Sequence, residues 1–521
     1  MALLYKLSKY TIGAAVIDQC ILSPQLREDL RAVFKGTTNT FKAGPIVGYS
    51  VYDYIKNLRG VPYPSEEYIK IREEVNTRVA KRLLYLSTSS GGIYLKAGQY
   101  IGTLERIAPK EYIEVLKVLQ DKGPALPYEK IKIVYENDMG CKIEDVFSEF
   151  DREAIAAASI AQVHRAKLKD TGEIVAVKLQ FPRLRVQTRL DMFVIRKLIG
   201  FANWMCKYYD YQGMDFQKFN QHFQQSIVKE LDFMQEVVNA ERTRNNFKKY
   251  NDLYIPKNNI PLSSRRAIVM EYVEGLKIND LEGLKQQFGD PQKATSILID
   301  VFAKMIFLYG HVHCDAHPGN IYVRQHPDKP AGNPQIVLLD HGFYCDIDDK
   351  FRMDFCKLWY SMVTMDYQQV KKISTRLGIG EYFRYLPLLF TYRTINAKKP
   401  LGATVAKEEI EFLKGNDEVN FEKISFLMQQ LPSEIVFIFK AMHIIGVHNA
   451  RSGGQTRKRL LLFTQDAITA LSYRHSIFYR FWLNLKFWIK LIIFEKAFWL
   501  YQRIWGFMEI QFDEKNKAIV N

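Results

Sequence analysis

The sequence predicts an α+β fold: a short β-rich segment set among helices that extend toward both ends of the chain. Three observations predict it. Paired β-branched runs occupy residues 161–179, helical periodicity flanks them on both sides, and 521 residues at 47% hydrophobic and 25% charged content suffice for more than one core.

Taken in order, residues 1–60 open with Lys6 and Lys9, no acid before Asp18, and a short apolar patch over residues 11–17. This is the expected targeting or anchor segment, although the patch is too short to span a bilayer. Gly60 to Ser65 forms a linker, and Ser65 followed by Glu66 and Glu67 marks a helix start. Residues 61–146 continue as a helical extension, interrupted at Gly91-Gly92. Its second helix carries Lys96-Ala97-Gly98-Gln99, which puts Lys96 and Gln99 on one face. That face suits either a solvated edge with small residues for packing or a functional surface.

Residues 147–275 hold the β-rich segment. Strands are expected at 161–166 and 174–179 around a Thr171-Gly172 turn, behind an alanine-rich bend at Ala156-Ala157-Ala158-Ser159. A mainly helical insertion over 183–250 carries Glu230, Asp232 and Glu236, and a strand over 267–273 ends at Glu274-Gly275. In residues 276–471 an apolar helix is expected over 294–309. It leads into Val312-His313-Cys314-Asp315-Ala316-His317-Pro318-Gly319-Asn320, then a loop, then Ile336-Val337-Leu338-Leu339-Asp340-His341-Gly342. From Gly342 to about Leu471 the chain is expected to be helical. Asp346, Asp348 and Asp349 suit a helix N-terminus, and His443 and His448 suit packing or surface positions. In residues 472–521 aromatics and aliphatics mix with Arg480, Lys486, Lys490, Glu495, Lys496 and Arg503, and over 477–507 the charges fall on several sides of a helical wheel. That mixture fits a membrane interface, a groove, or the protein's own core.

The net charge of +16 is spread along the chain and favours anionic partners, either a membrane surface or nucleotide. With no zinc-finger spacing, aromatic RNA-binding motif or basic heptads, no nucleic-acid partner is expected. Six cysteines are scattered without a Cys-x-x-Cys pair, against both a zinc ribbon and a disulfide framework.

The chemistry concentrates in few residues. Lys178 ends an apolar strand, where a buried ammonium needs a partner, and Glu236 is the natural candidate. A strand lysine held by a helix glutamate and aimed at phosphates is the logic of protein kinases, whose Val-Ala-Ile-Lys is nearly matched by Val175-Ala176-Val177-Lys178. Asp315 and Asn320 have the spacing of a kinase catalytic loop, and Asp340-His341-Gly342 stands where Asp-Phe-Gly would hold Mg²⁺. Asp340 and Asn320 are then metal ligands, and Asp315 accepts a proton from an attacking hydroxyl. The rival is a zinc site, because His311-Val312-His313-Cys314-Asp315-Ala316-His317 has the histidine and acid density of hydrolase zinc motifs.

Together these residues resemble the UbiB/aarF-domain-containing atypical kinases, in particular their mitochondrial branch, over about residues 63–471. The resemblance rests on Lys96-Ala97-Gly98-Gln99, residues 156–164, Lys178, Glu230-Leu231-Asp232, Glu236, residues 314–320 and Asp340-His341-Gly342. Ala316 stands where the family usually has Pro, and His341 where it often has Phe. The resemblance implies a protein-kinase-like bilobal fold, with an N-lobe over 147–275, a C-lobe over 276–471, an N-terminal helical extension and a helical, hydrophobic C-terminal segment. It implies ATP or ADP with Mg²⁺ as cofactors, bound through Ala156, Ala157, Ala158, Ser159, Lys178, Glu236, Glu271 and Val273. It also implies that Lys96, Gln99, Glu230 and Asp232 gate the substrate groove, Lys96 pairing with Glu230 or Asp232.

Alanine adopts positive φ less readily than glycine, so the alanine bend offers fewer backbone shapes around a γ-phosphate and disfavours peptide phosphorylation. The expected function is therefore an atypical kinase-like ATPase or lipid/small-molecule kinase. It is expected at the mitochondrial membrane, with a lipid or quinone-related partner, supporting lipid or coenzyme Q homeostasis. A serine/threonine protein kinase and a nucleotide-switched scaffold without turnover are the alternatives.

Overall fold

The computed structural model describes residues 24–62, 65–102, 109–120, 125–182, 184–208, 230–391, 431–473 and 475–493, together with Gln224, Ile227, Leu401 and Lys496. Residues 1–23 of the expected targeting segment, Tyr63 and Pro64 of the linker, and the C-terminal segment beyond Ile493 apart from Lys496 lie outside the described residues, while the rest of the 1–60 segment is largely the helix Pro24–Leu58. The chain divides into two compact units, one of residues 1–237 and 257–272, the other of residues 238–256 and 273–521.

In the first unit Ser65 caps the helix Glu66–Ser90, its hydroxyl accepting the Tyr68 N–H at 3.0 Å. Gly91 ends that helix at φ 67°, a conformation side chains resist, and Gly92–Gly102 starts the next. The helix Pro24–Leu58 packs on Glu66–Ser90 and on Leu184–Tyr208. Between them Ala43, Leu86 and Tyr94 are buried against Ile195 and Leu198. Asp53 meets Arg78 and Arg82 at 2.8 Å each, and the Arg78 guanidinium above all holds its carboxyl below the usual range.

β1 (Phe147–Phe150), β2 (Ala156–Ala157), β3 (Ala161–Leu168), β4 (Ile174–Gln180) and the strand Ala267–Glu271 form an antiparallel sheet. In it β3 pairs with β1, β2 and β4, and β4 pairs with Ala267–Glu271. Alternation decides what each face meets. Val175, Val177 and Leu179 pack with Ile131, Tyr135 and Phe147, while Ala176 packs on the other side with Ile160, Phe233, Val237 and Ile268. Lys178 shares the second face. Gly172 turns β3 into β4 at φ 71°, as the Thr-Gly pair predicts.

The second unit has a four-stranded sheet in the order Leu253–Tyr254, Pro334–Leu338, Ile321–Gln325, Leu276–Lys277, the first pair parallel and the rest antiparallel. The apolar helix expected over 294–309 begins earlier, at Pro291 behind the Asp290 cap, and is α-helical only to Lys304. Met305–Tyr309 is a π turn ending at Gly310. Gly310 has φ 61°, and a Cβ there would lie 2.7 Å from the Ile347 carbonyl oxygen.

The chain after Gly342 is not helical throughout. Tyr344–Asp346 pairs antiparallel with His311–His313, a contact too short to leave a periodic signature. Asp348 caps the helix Asp349–Val363 as expected, but Asp346 lies in the strand and pairs with Arg242 at 2.7 Å. Trp359, Phe307, Phe355 and Phe463 form the aromatic centre, with the Trp359 indole donating to Thr464 Oγ1 at 3.0 Å. The last helical stretch among the described residues, 477–493, buries Phe487 and Leu491, the Phe487 ring lying 6.1 Å from that of Tyr360. Within these residues Arg480, Lys486 and Lys490 leave one broad arc without charge, unlike the scattered pattern of the longer 477–507 window.

Candidate functional site

In the first unit Lys178 reaches Glu236 with Nζ 2.8 and 2.9 Å from the two carboxylate oxygens. Their side chains are 12% and 8% exposed, so this is a buried, bidentate pair. β4 supplies the lysine and the helix Phe233–Asn246 the glutamate one turn in. The Phe233 ring lies 5.2 Å from the ammonium and adds a cation–π contact.

The alanine segment is a hairpin tip. Ala156 and Ala157 pair with Val163 and Gln162, and the Ala158 N–H donates to the Ala161 carbonyl at 2.8 Å, leaving Ser159 buried in the turn. Gln162 is buried and exchanges two hydrogen bonds with the Leu126 main chain, at 2.8 and 3.1 Å. His164 meets the Asp151 carbonyl at 2.7 Å, and burial pulls its pKa down. Gln162 thus pins the chain before the sheet to β3 and His164 pins the loop after β1 to it, roles the sequence does not announce although both residues lie within 156–164. Glu271 closes its strand opposite Val175, with Val273 buried two residues on.

Each residue of Lys96-Ala97-Gly98-Gln99 has a distinct environment. Lys96 pairs with Glu230 at 2.8 Å, both largely buried. Ala97 packs beside Ile93, Tyr100 and Ile227. Gly98 permits close packing, since a Cβ there would stand 2.5 Å from Ser87 Oγ and from Leu119 Cδ1. Gln99 donates to the Leu119 carbonyl at 2.8 Å. Of the two acids offered to Lys96, Glu230 forms the pair. Asp232 instead accepts the Met234 N–H at 3.2 Å at the start of the helix Phe233–Asn246 and lies 3.7 Å from Arg265.

In the second unit the acids are organised by His313. Its Nδ1 accepts the Asp315 N–H at 3.0 Å, which leaves Nε2–H to donate to the Asp340 carbonyl at 2.9 Å. Burial pulls this imidazole's pKa down and keeps it neutral. One ring therefore ties the Asp315 segment to the Asp340 segment.

Asn320 continues the link. Its side-chain amide donates to the Asp315 carbonyl at 3.4 Å, and its own carbonyl accepts the Leu339 N–H at 3.0 Å. The Asp340 carboxylate accepts the Gly342 N–H at 2.8 Å. His341 is buried. With Nε2 bonded to the Leu338 carbonyl at 3.2 Å, its Nδ1 accepts the Tyr344 hydroxyl at 2.8 Å, while Asn239 donates to the His341 carbonyl at 2.9 Å. His448, buried on Ser433–Arg451 and held down to about 4 by burial, hydrogen-bonds the Ala316 main chain.

The zinc alternative fails on this geometry. His313 has both ring nitrogens engaged, and His311 Nδ1 meets Asp346 at 2.7 Å. Among the described residues no group of three His, Cys, Asp or Glu side chains is placed to hold a metal. The Asp340 carboxylate and the Asn320 carboxamide oxygen are hard donors of the kind Mg²⁺ takes together with phosphate oxygens and water, so these residues fit that ion.

Residues 118–374 match the ABC1 atypical kinase-like domain. AarF domain-containing protein kinase 1 of Xenopus laevis is 35% identical over 427 residues, covering 81% of this chain and 80% of that protein. The mouse protein of the same name is 34% identical, covering 76% of this chain and 74% of its own. A Dictyostelium discoideum protein, probable serine/threonine-protein kinase abkD, is 32% identical over 79% of this chain and 58% of its own length. Among solved structures, the complex of Rv3197 with erythromycin from Mycobacterium tuberculosis aligns at a TM-score of 0.46 and 20% identity, covering 75% of this chain and 97% of that one. Identity of this extent over four-fifths of both sequences carries the conclusion: the chain belongs to the ABC1/AarF family of atypical kinases, with a kinase-like bilobal fold.

Proposed function

We propose that this protein binds Mg-ATP or Mg-ADP and transfers or releases the terminal phosphoryl group, acting as an ATPase or a lipid or small-molecule kinase at the mitochondrial membrane in lipid or coenzyme Q homeostasis. The observation that carries this reading is the buried Lys178–Glu236 pair, an ammonium held and aimed by a carboxylate on a neighbouring helix. Lys178 holds nucleotide phosphates. Asp340 and Asn320 hold Mg²⁺, which when bound neutralises charge on the phosphate oxygens. Asp315, positioned by His313, takes the proton of the attacking hydroxyl or water. Ala156 to Ser159 cover the phosphates, and Glu271 and Val273 contact the rest of the nucleotide. Lys96, Gln99, Glu230 and Asp232 act as the substrate gate, and the Lys96–Glu230 pair supports that role.

Asp340→Asn should abolish the Mg-dependent thermal shift with nucleotide. Asp315→Asn should keep the shift and lose phosphate release or transfer. An unchanged shift in Asp340→Asn would overturn the assignment. Binding without turnover against any lipid or protein would replace it with the nucleotide-switched scaffold. The second reading, a serine/threonine protein kinase, is favoured by the name of the Dictyostelium relative. It requires label on a protein in trans that Asp315→Asn removes.

A further inference from the structure

The helical stretch 477–493 has an outer face that stands exposed among the described residues. Phe487 and Leu491 seat it on the second unit, while Ile477, Phe478, Phe481, Trp482, Ile489 and Ile493 stand 46–78% exposed. At about 100° per residue these six fall within one continuous arc, to which Trp488 and Ile492 also belong. Arg480, Lys486 and Lys490 fall outside the arc, with Lys486 at its edge. From Ala467 to Phe494 the chain has four basic residues, Arg474 included, and no acid.

We infer that residues 477–493 dock flat on an anionic lipid surface, with the apolar arc sunk at the level of the headgroups and Lys486 and Lys490 paired with lipid phosphates. This deepens the membrane reading above by naming the surface that makes the contact. Two observations favour lipid over other occupants. The arc is rich in aromatics, including two tryptophans, which favour the water–hydrocarbon boundary. Its basic flank, Lys486 and Lys490, attracts anionic lipid but would repel the same helix of a second copy. Among the described residues no helix is long and apolar enough to cross a membrane.

The test is flotation of the full chain with vesicles of phosphatidylcholine alone and of phosphatidylcholine mixed with phosphatidylglycerol. The unaltered protein should float with the mixed vesicles, and its tryptophan emission should shift to the blue. Phe481→Asp/Trp488→Asp should lower the bound fraction by about tenfold or more, and Lys486→Glu/Lys490→Glu should remove the preference for the anionic vesicles. Both variants must keep the Mg-nucleotide thermal shift of the parent, which separates this test from that of the nucleotide site. Flotation of Phe481→Asp/Trp488→Asp at the parent's level would overturn the inference. So would a change from dimer to monomer in that variant with flotation unaltered, which would make the arc a contact between copies.

Discussion

Removing the Glu236 carboxylate by Glu236→Ala should cost more than losing a surface ion pair. An exposed pair is worth roughly 0–1 kcal/mol. Here the partners are 12% and 8% exposed, and the ammonium stays behind in a site lined by Phe233. Removing one member of a buried pair costs about 3–5 kcal/mol, and the Phe233 ring offsets a fraction, so a loss of about 2–4 kcal/mol is expected. At roughly 2–4 °C per kcal/mol for a body of this size, the first unit should melt about 4–16 °C lower.

The companion variant Lys178→Met/Glu236→Leu removes both charges and refills the space with apolar atoms. It should recover most of the lost stability while binding no nucleotide, because a buried pair contributes little net stability compared with packed hydrophobes. The measurement is calorimetric melting of the single and double variants without ligand, followed by the Mg-nucleotide shift. A single variant melting within a degree of the parent, or a double variant no more stable than the single, would refute the reasoning.

Other substitutions separate packing from charge. Gly98→Ala should destabilise by about 1–3 kcal/mol, since its Cβ would crowd Ser87 and Leu119, and the same change should cost less when made in a Leu119→Ala background, as urea unfolding of the four chains would show. Asp232→Ala should cost about 0.5–2 kcal/mol in the same assay through the lost helix cap, leaving the Lys96–Glu230 pair in place. On acidification, His448, held down to about 4 by burial, contributes stability that is complete above its unfolded pKa near 6.5 and is lost as the pH falls toward 4. The loss amounts to about 3 kcal/mol, and His313 acts in the same direction. Asp466, pushed up to about 6 by burial, works oppositely, its stabilising contribution present below about 3.8 and lost as the pH rises through 6. His448→Gln should therefore flatten the acid limb of the pH–stability profile of the second unit, and an unchanged limb would exclude this cause.

The parts of the molecule legible in the sequence are those where local pattern and chemistry agree. Ser65-Glu66-Glu67 marks a helix start because the cap hydroxyl and the two acids act within one turn. The β3–β4 hairpin is legible because alternation and a Thr-Gly turn point to the same register. Lys178 calls for a carboxylate wherever it is buried, and Glu236 is that carboxylate.

What stayed hidden depends on which of several equivalent groups wins in three dimensions. Glu230 and Asp232 are indistinguishable as partners for Lys96 until one of them turns out to start a helix. His313 shows no sign in the sequence that both its nitrogens are committed, although its place two residues before Asp315 could have raised the question. Tyr344–Asp346 is hidden because a three-residue ladder has no period, and the charge-free arc of the last helix because a longer window blurred it.

The π turn at Met305–Tyr309 has a consequence for engineering. A wider turn accommodates one residue more than an α-helix would over the same rise, so it behaves as an absorbed insertion. Deleting one residue from it would therefore let the helix run on as a regular α-helix and deliver the chain to Gly310 in its present orientation. Gly310 would keep its place against the Ile347 carbonyl, and the strand His311–His313 its register with Tyr344–Asp346. A deletion from the regular turns of Pro291–Lys304 would instead rotate everything after it by about 100°. A deletion scan through residues 295–309 should therefore find single-residue shortening tolerated within Met305–Tyr309 and not before it, although both stretches are apolar.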